Sequence, residues 1–393
     1  MRDVAIVAGC RTAIGTFGGA FRDTPPTALG AIVVREALKR ADVAPDRVGH
    51  VVFGNVIHTE PRDMYLSRVA AVEGGVMQET PALTLNRLCG SGLQAVVSAA
   101  QAVALGDADV AIAGGAEVMS RAPFAVPAAR FGQKMGDVAA VDMMTGALCD
   151  PFGNGHMGIT AENVAEAHQV DRQTQDTFAL ESQRRAGRAI EEGRFAGEIV
   201  PVEVRRGRDT VAFDTDEHVK PTTTAEDLSR LRPVFRKDGT VTAGNASGIN
   251  DGAAALVLME AEAAEREGRP VLGRILGYAH AGVDPAQMGI GPVPAVRRLL
   301  ERTGLSVEDF DVIESNEAFA AQACAVAKSL GLPADRTNPN GGAIALGHPI
   351  GATGAIILVK ALHELARTGG RRALCTMCIG GGQGIALAVE RPA

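Results

Sequence analysis

The chain carries the same local pattern twice, and that repetition limits its fold more than any other feature. In the first third, the glycine-rich turn Cys89-Gly90-Ser91-Gly92 opens an apolar, alanine-rich stretch that runs to Leu105. Gly106-Asp107-Ala108-Asp109 then leads into the buried-type strand Val110–Gly115. In the last third, Gly347-His348-Pro349-Ile350-Gly351-Ala352-Thr353-Gly354 opens a stretch with Ile357, Ala361 and Leu365 on one helical face. Gly369-Gly370-Arg371-Arg372 then leads into Ala373–Gly382. Two units of turn, helix, strand and glycine point to an internally duplicated α/β fold with a site between the halves. Two unrelated α/β units would also look alike, so the echo alone leaves both readings open.

The 393 residues suit two to three domains, or one large α/β body with an insertion. Strand-type runs at Val4–Ala8, Val48–Phe53, Ala82–Leu88 and Asp109–Ala113 alternate with helical patterns at Pro26–Arg40 and Gly90–Leu105, as in a parallel or mixed sheet covered by helices. The stretch from 120 to 250 breaks the alternation with methionines, charges and irregular Gly/Pro punctuation. It holds one clear amphipathic helix, Arg172–Glu192, behind the N-cap candidate Asp171. We therefore divide the chain into a first half (1–119), an inserted loop domain (120–250) that returns to the first half near its end, and a second half (251–393).

A net charge of −7 supplies no global basic field for nucleic acid. An anionic substrate needs a local patch instead, for which Arg205, Arg206, Arg208 and Lys220 are candidates. Six cysteines scattered through a long chain fit reduced thiols in a cytoplasm better than a disulfide framework. The sequence shows no signal peptide and no apolar stretch long enough to span a bilayer, so neither export nor a membrane partner is expected.

Cys89 sits between a strand and a helix. A thiol at a helix N-terminus feels the positive end of the dipole, which predicts a lowered pKa and a ready nucleophile. The alternative is an inert buried cysteine. The same residues also read as Gly90-x-Gly92-x-x-Ala95, a weak dinucleotide fingerprint whose acidic partners, Asp107 and Asp109, precede a strand instead of ending one. Cys375-Thr-Met-Cys378 is a C-x-x-C, but it has no second pair for a zinc site. Inside a strand its two thiols face opposite sides, which favours a lone functional Cys378 beside Gly380. His348 is crowded by glycines, as a titrating catalytic imidazole would be. Asn316, after the strand Asp311–Glu314, either orients a water or an oxyanion, or caps a helix.

Six ordered motifs carry a family resemblance over essentially the whole chain. They are Asn86-Arg-Leu-Cys-Gly-Ser-Gly, Gly114-Gly-Ala-Glu-Val-Met-Ser, Asn245-Ala-Ser-Gly-Ile-Asn-Asp-Gly-Ala-Ala, Asn316-Glu-Ala-Phe-Ala, Gly347-His-Pro-Ile-Gly-Ala-Thr-Gly and Cys378-Ile-Gly-Gly-Gly. Together they resemble the thiolases, in the acetyl-CoA acetyltransferase and bacterial β-ketothiolase branch. The segment Phe53–Tyr65 is similar to the broader-specificity β-ketothiolases. Ser315 departs from the alanine usual before Asn-Glu-Ala-Phe.

The resemblance implies a layered α-β-α-β-α fold of two duplicated halves with an inserted loop domain, and a reversible Claisen condensation or thiolysis of short 3-ketoacyl-CoA. Cys89 would carry the acyl group and His348 would activate it. Cys378 would serve as acid and base. Asn316, through a water, and the Gly380 N–H would stabilise oxyanions. The resemblance further implies a pantetheine tunnel lined by Leu148, His156, Met157, Phe235, Ala243, Ser247, Ala318 and Phe319, with Lys220 near the nucleotide and Met288 narrowing the acyl pocket. It implies acetyl-CoA, short acyl-CoA and free CoA as partners and no metal or other cofactor. It also implies a homotetramer with contacts near Phe124–Val141. The rivals are a β-ketoacyl synthase-like enzyme and a non-catalytic lipid-binding relative.

Overall fold

Apolar runs with no polar alternation become strands covered on both faces, and the computed structural model, which describes residues 1–392, shows that cover. Nine principal strands are β1 (Val4–Thr12), β2 (Val48–Gly54), β3 (Ala82–Leu85), β4 (Val110–Val118), β5 (Asn250–Glu260), β6 (Gly273–Gly282), β7 (Val312–Ser315), β8 (Arg372–Ile379) and β9 (Gln383–Glu390). They form one mixed sheet in the order β7-β8-β9-β6-β1-β5-β4-β2-β3. The first half contributes β3-β2-β4-β5-β1. The second contributes β7-β8-β9-β6, and an isolated parallel bridge from Ile313 to Thr337 stands where the fifth strand would lie. The two halves thus share one strand order. Among the described residues their strands pair with each other only where Ala5 and Ile6 of β1 meet Arg274 and Gly273 of β6.

Eight helices matter to the site: α1 (Pro26–Ala41), α2 (Leu66–Glu73), α3 (Ser91–Leu105), α4 (Met157–His168), α5 (Arg172–Glu191), α6 (Pro292–Thr303), α7 (Ala320–Leu330) and α8 (Thr353–Thr368). α1 packs on β1, β4 and β5, with α2 beside it, and α6 packs on β6 and β9. The two central helices, α3 and α8, pack on each other, α3 against β2 and β4 and α8 against β7 and β8. That arrangement gives the expected α-β-α-β-α layering. Leu88–Leu105 is apolar and long enough to cross a bilayer, contrary to the reading of the sequence. Its place is α3, packed against α8 in the core of the fold.

Two boundaries move. The strand expected over 82–88 stops at Leu85, because Asn86–Leu88 turn sharply toward α3. The division at 250/251 falls at the start of β5, which does not belong with the second half: its backbone pairs with β1 and β4 of the first. The helix behind Asp171 forms as expected, and the Asp171 carboxylate accepts from the Thr174 N–H at 2.7 Å.

The inserted segment is bolted to β1 through a fully buried guanidinium. Arg11 donates to Glu198 Oε1 at 2.7 Å and makes a two-pronged contact with Asp216 at 2.7 and 2.9 Å. Truncation to alanine would strand two buried carboxylates, so Arg11→Ala is expected to cost about 3–5 kcal/mol of stability, read from urea denaturation followed by circular dichroism.

Candidate active site

The Cys89 turn is built from local hydrogen bonds. Asn86 Oδ1 accepts from the Leu88 N–H at 2.9 Å. Ser91 Oγ accepts from the Arg87 N–H at 2.8 Å and donates to the Leu88 carbonyl at 2.6 Å. Leu88 is held at φ +43°, a left-handed conformation that a branched side chain rarely adopts. Strain directly before a cysteine on a strand-to-helix turn is how a fold presents a nucleophile above its sheet. Nothing in the residue type of Leu88 signals it.

His348 lies in the equivalent turn before α8. Its backbone N–H donates to Asn250 Oδ1 at 2.9 Å, and Asn250 in turn donates to the Gly15 carbonyl at 3.0 Å. The ring is oriented by Thr353, whose Oγ1 is 2.7 Å from Nδ1 and donates its own proton to the Pro349 carbonyl at 2.9 Å. A hydroxyl has one proton to give, so Nδ1 must carry the hydrogen and Nε2 the free lone pair. Asn316 Nδ2 stands 3.5 Å from that Nε2. Asn316 does not cap a helix, since α7 begins only at Ala320 behind Phe319. Its Oδ1 is buried without a partner.

Cys378 is buried near the end of β8 and faces the cavity, whereas Cys375 points to the other side, toward the Ile357 carbonyl of α8. Cys89, His348, Cys378 and Gly380 line one cavity of about 370 Å³. Leu148, His156, Met157, Phe235, Ala243, Ser247, Met288, Ala318 and Phe319 complete its walls, as the sequence anticipated. Phe235 stacks on His156 at 4.7 Å between ring centroids and meets Phe319 edge-on at 6.3 Å. His156 Nδ1 accepts from the Gly158 N–H and so opens α4. Leu88, Met119, Val234, Ile249 and Ile350 also line the cavity and escaped the sequence reading, because only the fold brings them there. Lys220 does not reach it: this residue is exposed, with its backbone N–H on Gln183. Arg205, Arg206 and Arg208 sit at the end of an exposed hairpin, also away from it.

The electrostatics reverse one expectation. Burial pushes the Cys89 thiol up to about 11, although the N–H groups of Gly380 and of Cys89 itself oppose the rise. Desolvation outweighs the helix end here. Burial also raises Cys378, and the neighbouring Cys89 raises it further. Burial lowers His348 to about 4. The resting site is therefore two thiols and a neutral imidazole, with no net charge to solvate. Glycine packing also answers the dinucleotide alternative. A methyl on Gly92 would meet the backbone of Ala355, so this turn faces α8 and leaves no room for a pyrophosphate. Among the described residues no group of three or more His, Cys, Asp or Glu is placed to hold a metal ion. Alkylation of Cys89 by iodoacetamide, followed by intact mass, should still be accelerating above pH 9.0, the ordinary thiol value. It should show no step near about 6.5, where an ordinary histidine titrates.

Known proteins with this arrangement agree among themselves. Residues 4–262 match the thiolase N-terminal domain and residues 269–391 the thiolase C-terminal domain. The chain is 66% identical over 391 residues to the beta-ketothiolase BktB of Cupriavidus necator, covering 99% of both chains. It is 53% identical to an acetyl-CoA acetyltransferase of Chromobacterium violaceum, covering 99% of this chain and 100% of that one. The crystal structure of human mitochondrial 3-ketoacyl-CoA thiolase superposes with a TM-score of 0.97 at 45% identity, covering 100% of this chain and 99% of that one. With two family domains spanning nearly every residue and the fold shared throughout, the chain belongs to the thiolase family.

Proposed function

We propose that this thiolase-family acyltransferase condenses acetyl-CoA with a short acyl-CoA, or cleaves a short 3-ketoacyl-CoA with CoA, through an acyl group on Cys89. The observation that carries the reading is the convergence of two thiols and a tautomerically fixed imidazole on one apolar cavity. In thiolysis, His348 Nε2 takes the Cys89 proton and the thiolate attacks the 3-keto carbonyl. The C–C bond breaks, and Cys378 protonates the departing enolate. CoA then removes the acyl group from Cys89. In synthesis, Cys378, deprotonated at that stage by the leaving CoA thiolate, removes the α-proton of acetyl-CoA, and the carbanion attacks acyl-Cys89. This is covalent catalysis that splits one hard step into two.

Two carbonyls develop charge, so two donor sets are needed. The N–H groups of Cys89 and Gly380 serve one, consistent with their facing the thiol. The other uses His348 Nε2, once protonated, and a water held by the unpartnered Asn316 Oδ1. The aromatic wall of His156, Phe235 and Phe319 suits a pantetheine arm. Met288, buried in the same wall, narrows the acyl end to four- and five-carbon chains. No cofactor beyond CoA as substrate enters the scheme. Exposed Phe124, Phe131, Met135 and Val141 form an apolar stretch suited to a tetramer contact, and we place the enzyme in the cytoplasm. A malonyl-dependent synthase is disfavoured because Asn316 stands where that reaction uses a second histidine.

Three variants test the roles. Cys89→Ser should abolish thiolysis of acetoacetyl-CoA. Cys378→Ser should still form the acyl-enzyme, visible by mass, while losing C–C chemistry. Parental thiolysis by either variant would sink its assigned role. Thr353→Val removes the acceptor for Nδ1–H and should lower kcat about 100-fold, whereas Thr353→Ser should keep most of it. Thiolysis rates across a chain-length series of 3-ketoacyl-CoA should peak at four to five carbons.

A further inference from the structure

The duplication gives each catalytic position a counterpart that can be read from strand register. In the first half Gly54 of β2 pairs with Gly115 of β4, and two residues on, Glu117 faces Gly252 of β5. In the second half Ser315 of β7 pairs with Thr376 of β8, and two residues on, Cys378 faces Gly384 of β9. An asparagine follows each of the matching strands, Asn55 after β2 and Asn316 after β7. Cys89 stands two residues before α3 and Gly351 two residues before α8. The register therefore sets Glu117 opposite Cys378, Asn55 opposite Asn316, and Gly351 opposite Cys89.

The counterpart site is filled. Glu117 is fully buried. Its Oε2 accepts from the Val56 and Gly351 N–H groups, both at 2.9 Å. Its Oε1 accepts from the Ile57 N–H at 3.0 Å and from Asn55 Nδ2 at 3.2 Å. All four partners are donors and none is a cation, which is how a fold holds a carboxylate by neutral groups alone. A methyl on Gly351 would strike this carboxylate and the Asn55 backbone. Burial raises the Glu117 carboxyl and the buried neighbour Asp63 adds to that, while the N–H donors of residues 56, 57 and 351 oppose it.

We propose that Glu117 is a positioning residue for the reaction. It occupies the silent copy of the Cys378 position and ties the His348 loop to the end of β2 through Gly351. The inference rests on the roles given above to Cys89 and His348.

The test compares the full-length parent with Glu117→Gln and Glu117→Asp. The readouts are the kcat and KM of acetoacetyl-CoA thiolysis, with folding checked by circular dichroism. Glu117→Gln replaces one acceptor oxygen by an amide donor, which cannot accept from both Val56 and Gly351, so kcat should fall at least about 10-fold with KM little changed. Glu117→Asp keeps both acceptor oxygens but shortens the arm to Gly351, so kcat should fall there too. Loss of packing alone would lower the fraction folded without a selective loss of kcat in the folded enzyme. A folded Glu117→Gln with parental kcat overturns the proposal. Should that variant fail to fold, a parental kcat in Glu117→Asp does so. Failure of the underlying reading looks different: the parent, fully alkylated at Cys89, would still catalyse thiolysis.

Discussion

The structure depends on how closely the first turns of α3 and α8 meet. A methyl on Gly92 would collide with the backbone of Ala355, and one on Gly354 with that of Leu93. The contact is reciprocal, backbone against backbone, and only glycine permits it. Because each helix is preceded by a functional turn, this one approach brings the Cys89 turn and the His348 loop to the same place. The sheets then deliver Asn316 and Cys378 from strand ends of the second half.

Burial sets the chemistry that the site performs. Two thiols and a neutral imidazole carry no charge in the resting state, so an apolar cavity can enclose them cheaply. In the proposed reaction each charge is made inside and meets a donor: the Gly380 N–H toward Cys89, Asn316 beside His348. On that proposal nucleophilicity depends on proton transfer to an oriented base more than on a standing thiolate. Thr353 leaves Nε2 as the nitrogen with the free lone pair.

Much of this was legible in the sequence because it is local. Glycine-rich turns before apolar helices located Cys89 and His348, and period two in a strand separated Cys375 from Cys378. The sequence misled where two effects compete. The helix end argued for a lowered Cys89 pKa, but the half-buried thiol sits in an apolar cavity, and desolvation wins. Asn316 read equally as a cap or as a group orienting a water or oxyanion, and the start of α7 at Ala320 removes the cap. β5 looked like the start of a new half until its pairing placed it in the first. Leu88, Thr353 and Glu117 gave no signal, since their importance lies in a backbone angle or in partners far along the chain.

The thin seam between the half-sheets, where Ala5 and Ile6 pair with β6, has a mechanical consequence. The halves are held by the shared burial of α3 and α8 more than by strand pairing. Either half alone would leave one apolar helix face bare and would own only part of the site. The two halves stand like the subunits of a dimer joined in one polypeptide: one site holds the two thiols, and its counterpart holds a buried carboxylate.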